Sequence, residues 1–251
     1  MESDAVAEAA RLLSEARRSR RLAERFPPAS RPTSVDEADA IQQLVARDLG
    51  EKIAGWKVAL SDQYGVLRGA ILSSRLFPDR AEAPASLMPA LGLEAEIAFR
   101  CRHDLPPRGT DYSRAEIEER VTALVGIEVV DSRFRDPDSI PVIERAADCM
   151  SNGAFIAGAE RPDWRTIDLS TLPASLLVNG RPAVDRRIGG HATRDPIIPL
   201  IALANALRVT TGLFAGQIVT TGTYTGVTRC KAGDDVEAAF DGFGRVAVYL
   251  R

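Results

Sequence analysis

Apolar residues recur at helical spacing early in the chain and at strand spacing later. Residues 4–25 read as an amphipathic helix with a basic patch at Arg17, Arg18, Arg20 and Arg21. Pro27, Pro28 and Pro32 interrupt that pattern. Ser34-Val-Asp-Glu37 has the form of a capping box. It predicts a helix with Val35, Ala38, Ile41, Leu44 and Val45 on its apolar side, ending near Gly50. Residues 53–60 read as a strand. The stretch 61–92, punctuated by Gly, Pro and Ser, reads as loops.

A strand follows at 93–100. A second capping-box pattern, Ser113 to Glu116, predicts a helix to about Ala123, and the next strand carries Glu128. Asn179-Gly180 between β-like runs at 176–184 is a strong hairpin signal. Residues 196–211 read as a buried helix stopped by Gly212. The end is strand-rich, at 217–222, 235–240 and 245–250. Helices followed by strands in this order predict an α+β fold. The expectation is one catalytic domain over 1–251, with a helical portion at 1–50 and a mixed sheet over 51–251.

Composition narrows the function classes. The 251 residues suffice for one large domain or two small ones. The formal net charge is −3 and no basic block occurs, which argues against a nucleic-acid footprint. The three cysteines, Cys101, Cys149 and Cys230, form no CxxC pair, and only two histidines occur, so a zinc site is not expected. A reducing cytoplasm is the expected compartment. The acidic N-terminus lacks a signal core, and no run approaches a membrane span of about 18 apolar residues.

Against this background, three carboxylates stand in apolar runs. Glu94 and Glu96 lie in Leu91-Gly-Leu-Glu-Ala-Glu-Ile-Ala-Phe99, and Glu128 lies in Gly126-Ile-Glu-Val-Val130. Strand side chains alternate faces, so Glu94 and Glu96 project together. Burying unpaired carboxylates is costly, and a cation or metal is the usual compensation. Three converging carboxylates suit a hard divalent ion. The same Glu-x-Glu spacing also fits a solvated face of an edge strand. Lys57, in Gly55-Trp-Lys-Val58, either snorkels outward or faces the same cavity and holds an anionic substrate. Ser151-Asn-Gly-Ala-Phe155 is a polar turn entering a strand. Thr220-Thr-Gly-Thr-Tyr-Thr-Gly226 is a loop able to offer backbone N–H groups to a carboxylate.

Taken in order, these phrases resemble the fumarylacetoacetate hydrolase superfamily, in its 2-keto-4-pentenoate hydratase / 4-oxalocrotonate decarboxylase branch. Ile127-Glu-Val-Val-Asp-Ser-Arg133, Asp148-Cys-Met-Ser-Asn-Gly-Ala-Phe155, Leu213 to Gly222 and Gly242 to Val248 add to the match, which runs from about residue 35 to the end. The resemblance implies a mixed β-roll, usually a homo-oligomer, with Glu94, Glu96 and Glu128 holding Mg²⁺ or Mn²⁺. It implies that Lys57, Asp131 and Ser151 serve the active site, and that Thr223 and Gly222 grip the substrate carboxylate. Arg133, with Arg68 and Arg75, is a candidate cation for a second carboxylate at the substrate tail. The segment after Lys57 is shorter than in typical hydratases, Cys149 replaces a common Asn, and Asn152 replaces a common small polar residue.

The implied activity is hydration of 2-hydroxy-2,4-dienoates in aromatic catabolism. The alternatives are a 4-oxalocrotonate-type decarboxylase, a C–C hydrolase, or a non-catalytic scaffold in a complex with a related pathway enzyme. Hydrolase members use a His-Glu pair on a helical lid. His103 and His191 both read here as plain loop residues, which argues against a hydrolase.

Overall fold

The computed structural model describes residues 1–251 and builds two sheets and five helices. The chain runs through α1 (Ser3–Ser19), α2 (Val35–Leu49), β1 (Ile53–Ser61), β2 (Gly65–Leu72), β3 (Leu76–Pro78), β4 (Ala81–Ala83) and β5 (Gly92–Cys101). It continues through α3 (Arg114–Glu118), β6 (Val121–Val130), α4 (Val142–Ala147), β7 (Asn152–Arg161), β8 (Ala174–Val178) and β9 (Arg181–Arg187). It ends with α5 (Ile197–Leu207), β10 (Ile218–Thr223), β11 (Thr228–Arg229), β12 (Asp235–Phe240) and β13 (Gly244–Leu250). No helix is long and apolar enough to cross a membrane.

The first sheet has the order β2-β1-β10-β5-β6-β7-β3, with β11 added to β5. The second has the order β4-β13-β12-β8-β9. Both are mixed: β1 runs parallel to β10, β3 to β7 and β4 to β13, and the remaining pairs are antiparallel. Alternation along β5 sorts the two faces. Leu93, Ala95, Ile97 and Phe99 join Val236, Ala238, Val246 and Val248 of the second sheet and Leu200 and Leu203 of α5 in the main core. Glu94, Glu96 and Ala98 point the other way. On that face Ala98, Leu124, Phe155, Ile71 and Ile218 form a small separate cluster. Ile71 belongs to β2 and Phe155 to β7, near opposite ends of the sheet, and the two strands touch. The sheet therefore curls until its ends meet, and the face bearing the carboxylates becomes the inside of a roll.

Helices α1 and α2 close over this roll. Ala9, Leu13, Ile41 and Val45 pack with Leu67 of β2, Ile143 of α4, Phe26 and Phe134 in one apolar cluster. Phe26 and Phe134 meet edge to face at 5.1 Å. Ser34 caps α2 by accepting from the Glu37 N–H, and Gly50 ends it in a left-handed conformation. The Asn179-Gly180 hairpin joins β8 to β9 with both residues at positive φ.

Three sequence expectations are corrected. The stretch 61–92 is not loop: it contains β2, β3 and β4, and most of β2 is buried. Val66, Leu67, Ala70, Ile71 and Leu72 carry the strand, and Gly69 among them is a packing device rather than a breaker. A Cβ there would stand 2.2 Å from the Cys149 carbonyl oxygen. Helix α1 stops at Ser19 rather than 25, because Arg20 turns left-handed at φ 60°. The helix capped by Ser113 has the full capping box but ends at Glu118, since Val121–Val130 pairs with β5 along its length. Cross-strand pairing there outweighs local helix preference.

Candidate metal centre and substrate site

In the β5–β6 ladder Glu94 stands directly opposite Glu128, and Glu96 stands opposite Gly126. One carboxylate oxygen from each of Glu94, Glu96 and Glu128 lies within 4.8 Å of the others. All three residues are buried, Glu96 and Glu128 completely. Each of these two has one oxygen tied and one free. Glu96 Oε2 accepts from the Thr220 hydroxyl and from the Gly222 N–H at 3.1 Å. Glu128 Oε1 accepts from Asn152 Nδ2 at 3.0 Å and lies 3.0 Å from Lys57 Nζ. Glu96 Oε1 and Glu128 Oε2 are buried with no partner.

A buried acceptor left unpaired is costly, and more so for a charged group. Three carboxylates facing one ammonium leave two negative charges uncompensated. The oxygen-only donor set, its closeness and the two orphaned oxygens all fit a divalent hard cation. Proton affinities report the same excess. Burial and the Glu128 charge push Glu94 up to about 7, against the pull of Lys57. Burial, Glu128 and Glu94 raise Glu96 well above the carboxylate range. Burial opposes the Lys57 ammonium, but Glu128, Glu94 and Glu96 outweigh it and strengthen its hold on its proton.

The other expected site residues divide into two groups. Thr223 pairs with Glu96 in the β10–β5 ladder, so it lies beside the carboxylates. Its hydroxyl accepts from the N–H groups of Gly226 at 2.8 Å and Thr225 at 3.2 Å, which leaves the hydroxyl hydrogen free to donate. The N–H of Gly222 is already given to Glu96. Ser151 closes a left-handed turn, with Cys149, Met150 and Ser151 at φ 52°, 51° and 59°. Such residues cost roughly 1–2 kcal/mol each. The turn delivers Asn152 to Glu128.

Asp131 and Arg133 make no hydrogen bond or ion pair with the carboxylates. Asp131 Oδ1 accepts from the Ala90 N–H at 3.0 Å, and its N–H donates to the Ser151 carbonyl at 2.8 Å. Burial raises its proton affinity, opposed by Arg133 and Arg17. The Arg133 guanidinium is committed within the chain. Nε donates to Asp148, Nη2 to the Asp148 carbonyl at 2.6 Å, and Nη1 to the carbonyls of Asp131 and Asn152 at 2.5 and 3.0 Å. It clamps the loop that supplies Asn152. Arg68 pairs with Asp39, and Arg75 reaches only the Leu87 carbonyl at 3.4 Å.

A cavity of about 590 Å³ is lined by Leu22, Val130, Asp131, Arg145, Ser151 and Arg229, among others. Val130 follows Glu128 by two residues and shares its strand face. Arg145 has a buried Nε with no partner and makes no ion pair. Sequence reasoning missed Arg145, and it missed the supporting roles of Asn152 and Thr220. It also took His191 for a plain loop residue. His191 does lie in a loop, but it is 4% exposed and hydrogen-bonded behind the Gly222 loop. His103 is exposed, as expected.

No family model matches the chain. Curated relatives do. It is 31% identical over 221 residues to a 2-keto-4-pentenoate hydratase of Burkholderia vietnamiensis (strain G4 / LMG 22486), covering 83% of each chain. It is 33% identical over 222 residues to one from Paraburkholderia phymatum, again covering 83% of each. The chain belongs to the 2-keto-4-pentenoate hydratase family. A 4-oxalocrotonate decarboxylase of Pseudomonas putida is also similar, at 26% identity over 224 residues, 84% of this chain and 83% of the relative. The fold agrees. A solved 4-oxalocrotonate decarboxylase from Pseudomonas putida G7, complexed with magnesium and adipate, superposes with TM-score 0.86 over 100% of this chain and 99% of that one, at 21% identity. The expected α+β fold, with N-terminal helices before a mixed β-roll, is the one observed.

Proposed function

We propose that this protein is a divalent-metal-dependent hydratase that adds water to 2-hydroxy-2,4-dienoates in aromatic-compound breakdown. The observation that carries the reading is the inward trio of Glu94, Glu96 and Glu128, with two unpartnered oxygens beside Lys57. Mg²⁺ or Mn²⁺ held there would supply Lewis acidity toward negative charge developing on the substrate C2 oxygen.

The remaining chemistry belongs to the chain. Lys57, kept charged by its carboxylate neighbours, attracts the C1 carboxylate and positions it by donating a hydrogen bond. The free hydroxyl hydrogen of Thr223 binds a second oxygen of that group, next to the Gly222 turn. Asp131 and Ser151 line the adjoining cavity, where they move a proton in tautomerisation and orient substrate or water. Arg133 acts by holding Asn152, and hence Glu128, in place.

The test is to follow the absorbance of 2-hydroxypenta-2,4-dienoate with purified protein, Mg²⁺ and then EDTA. Metal-dependent conversion to 4-hydroxy-2-oxopentanoate is expected. An intact protein that binds metal yet leaves this dienol and its longer diacid analogues untouched would overturn the reading.

One observation favours a second reading, a decarboxylase of the 4-oxalocrotonate type. Arg145, with an unpartnered Nε, lines the same cavity as Val130, Asp131 and Ser151, and a diacid reaching into it would find a free guanidinium for its distal carboxylate. Release of CO₂ in place of a hydrated product would decide for it.

We further propose that 1–251 is a single catalytic domain, because Leu67 of β2 shares one apolar cluster with α1 and α2. The reading also implies a cytoplasmic homo-oligomer and a complex with a related pathway enzyme. Free cysteines at 101, 149 and 230 suit a reducing compartment. Light scattering on the purified protein tests the assembly.

A further inference from the structure

We propose that His191 is a positioning residue for Glu96, acting through the single peptide group that joins Thr221 to Gly222. The inference rests on the reading of Glu96 as a metal ligand.

The hydrogen bonds fix the tautomer. The Thr221 carbonyl can only accept, so His191 Nε2, 2.9 Å from it, carries a proton, and the backbone N–H of Thr193, 3.3 Å from Nδ1, addresses that nitrogen as the acceptor. Burial disfavours the charged ring. The one proton of the neutral ring therefore sits on Nε2, which donates to the Thr221 carbonyl at 2.9 Å. The same peptide group carries the Gly222 N–H, which donates to Glu96 Oε2 at 3.1 Å. A donor on the carbonyl side of an amide polarises it and strengthens donation from its N–H. His191 thus orients the peptide and sharpens its grip on Glu96.

No strand ladder does this job. The β10–β5 register shifts between Thr220 and Thr223, so the intervening peptide lies outside regular pairing. Gly222 has φ 121°, and a Cβ there would stand 3.3 Å from His191 Nε2. The absent side chain lets the ring sit against the turn. The ring is itself fixed. Its centroid lies 5.2 Å from that of Tyr224, whose hydroxyl donates to the Leu169 carbonyl at 2.9 Å. Glu96 Oε2 is held on its other side by Thr220, which leaves Oε1 as the unpartnered oxygen. Loss of His191 would free the peptide to rotate and Glu96 with it.

The experiment is Mg²⁺ and Mn²⁺ titration calorimetry on the full-length protein, with the metal-free melting temperature measured alongside. Three variants are compared: His191→Phe, His191→Gln and His191→Asn. A Gln amide can reach the Nε2 position and donate to Thr221, whereas Asn reaches only the Nδ1 position. Metal binding is expected to weaken about 10–100-fold in the Phe and Asn variants, as for other outer-shell partners, and to recover in the Gln variant. The Gln–Asn comparison keeps the test alive if the Phe variant does not fold. Wild-type affinity in a folded Asn or Phe variant overturns the inference. So does a folded Gln variant as weak as the Asn variant. Wild-type protein that binds neither metal sinks the metal-site reading itself, and the inference with it.

Discussion

Glu94 and Glu128 face each other directly across the β5–β6 ladder inside the closed roll. Like charges opposite one another on a sheet destabilise it. These two persist with Glu96 beside them and only Lys57 to offset three charges. Removing one carboxylate should therefore relieve the metal-free protein while destroying the metal site. Glu128→Gln is expected to melt at or above the wild-type temperature without metal, and to show no Mg²⁺-induced rise. Turnover should fall by about 10²-fold or more, the scale of several kcal/mol of lost Lewis-acid stabilisation. Calorimetric melting with and without Mg²⁺, paired with the dienol assay, checks both halves. A variant that still binds metal and turns over would remove Glu128 from the ligand set.

The same repulsion fixes a pH dependence. Burial and Glu128 raise the folded-state proton affinity of Glu94 to about 7, and Glu96 rises well above its ordinary range. A carboxyl raised on folding contributes stability that is present below its unfolded pKa and lost as pH climbs through its folded pKa. Metal-free protein should thus lose stability between about pH 4.5 and somewhat above 7. Bound metal replaces the protons and flattens that loss. The melting-temperature gain from saturating Mg²⁺ is expected to grow from pH 6 to pH 8. A gain that shrinks over this range would contradict the charge balance described here.

Much of the site was legible in the sequence because its signal is local. Glu94 and Glu96 share a face by strand alternation, and the apolar run around Glu128 marks an interior position. The N-cap at Ser34, the capping box at Ser113 and the Asn179-Gly180 turn were equally readable, since each is closed within a few residues. What stayed hidden depends on distant partners. Arg133 read as a free cation because Asp148, which binds it, comes fifteen residues later, beyond a helix. His191 read as a loop residue because Thr221 and Tyr224 lie about thirty residues on. Gly69 and Ser73 made β2 look like loop, although Gly69 is there to admit another segment's backbone.

Arg145 should set the preference for the substrate tail. Its Nε is buried and unpartnered on the wall of the cavity that continues from Val130 and Ser151. A hydrogen bond to a charged group contributes about 1.5–3 kcal/mol. Arg145→Met is expected to lower kcat/KM for a 2-hydroxy-2,4-dienedioate, relative to 2-hydroxypenta-2,4-dienoate, by about 10–100-fold. The ratio of the two specificity constants in wild type and variant measures it. An unchanged ratio would place the distal group elsewhere.

Gly69→Ala tests how the left-handed turn at 149–151 is supported. The added methyl would stand 2.2 Å from the Cys149 carbonyl oxygen and 3.0 Å from the Met150 side chain. Both neighbours belong to the turn, three consecutive residues at positive φ, so no flexible side-chain tip can yield. Either β2 moves outward or the turn shifts, and the turn carries Ser151 and leads directly into Asn152. Overpacking of this kind costs about 1–3 kcal/mol. Asn152 Nδ2 lies 3.0 Å from Glu128, so a shifted turn should also loosen that ligand. The expected result is a lower denaturation midpoint together with weaker Mg²⁺ binding. Asn152→Ala, which leaves the turn alone, should reproduce the weaker binding with less loss of stability. Equal stability losses in the two variants would mean that Gly69 does not support the site through the turn.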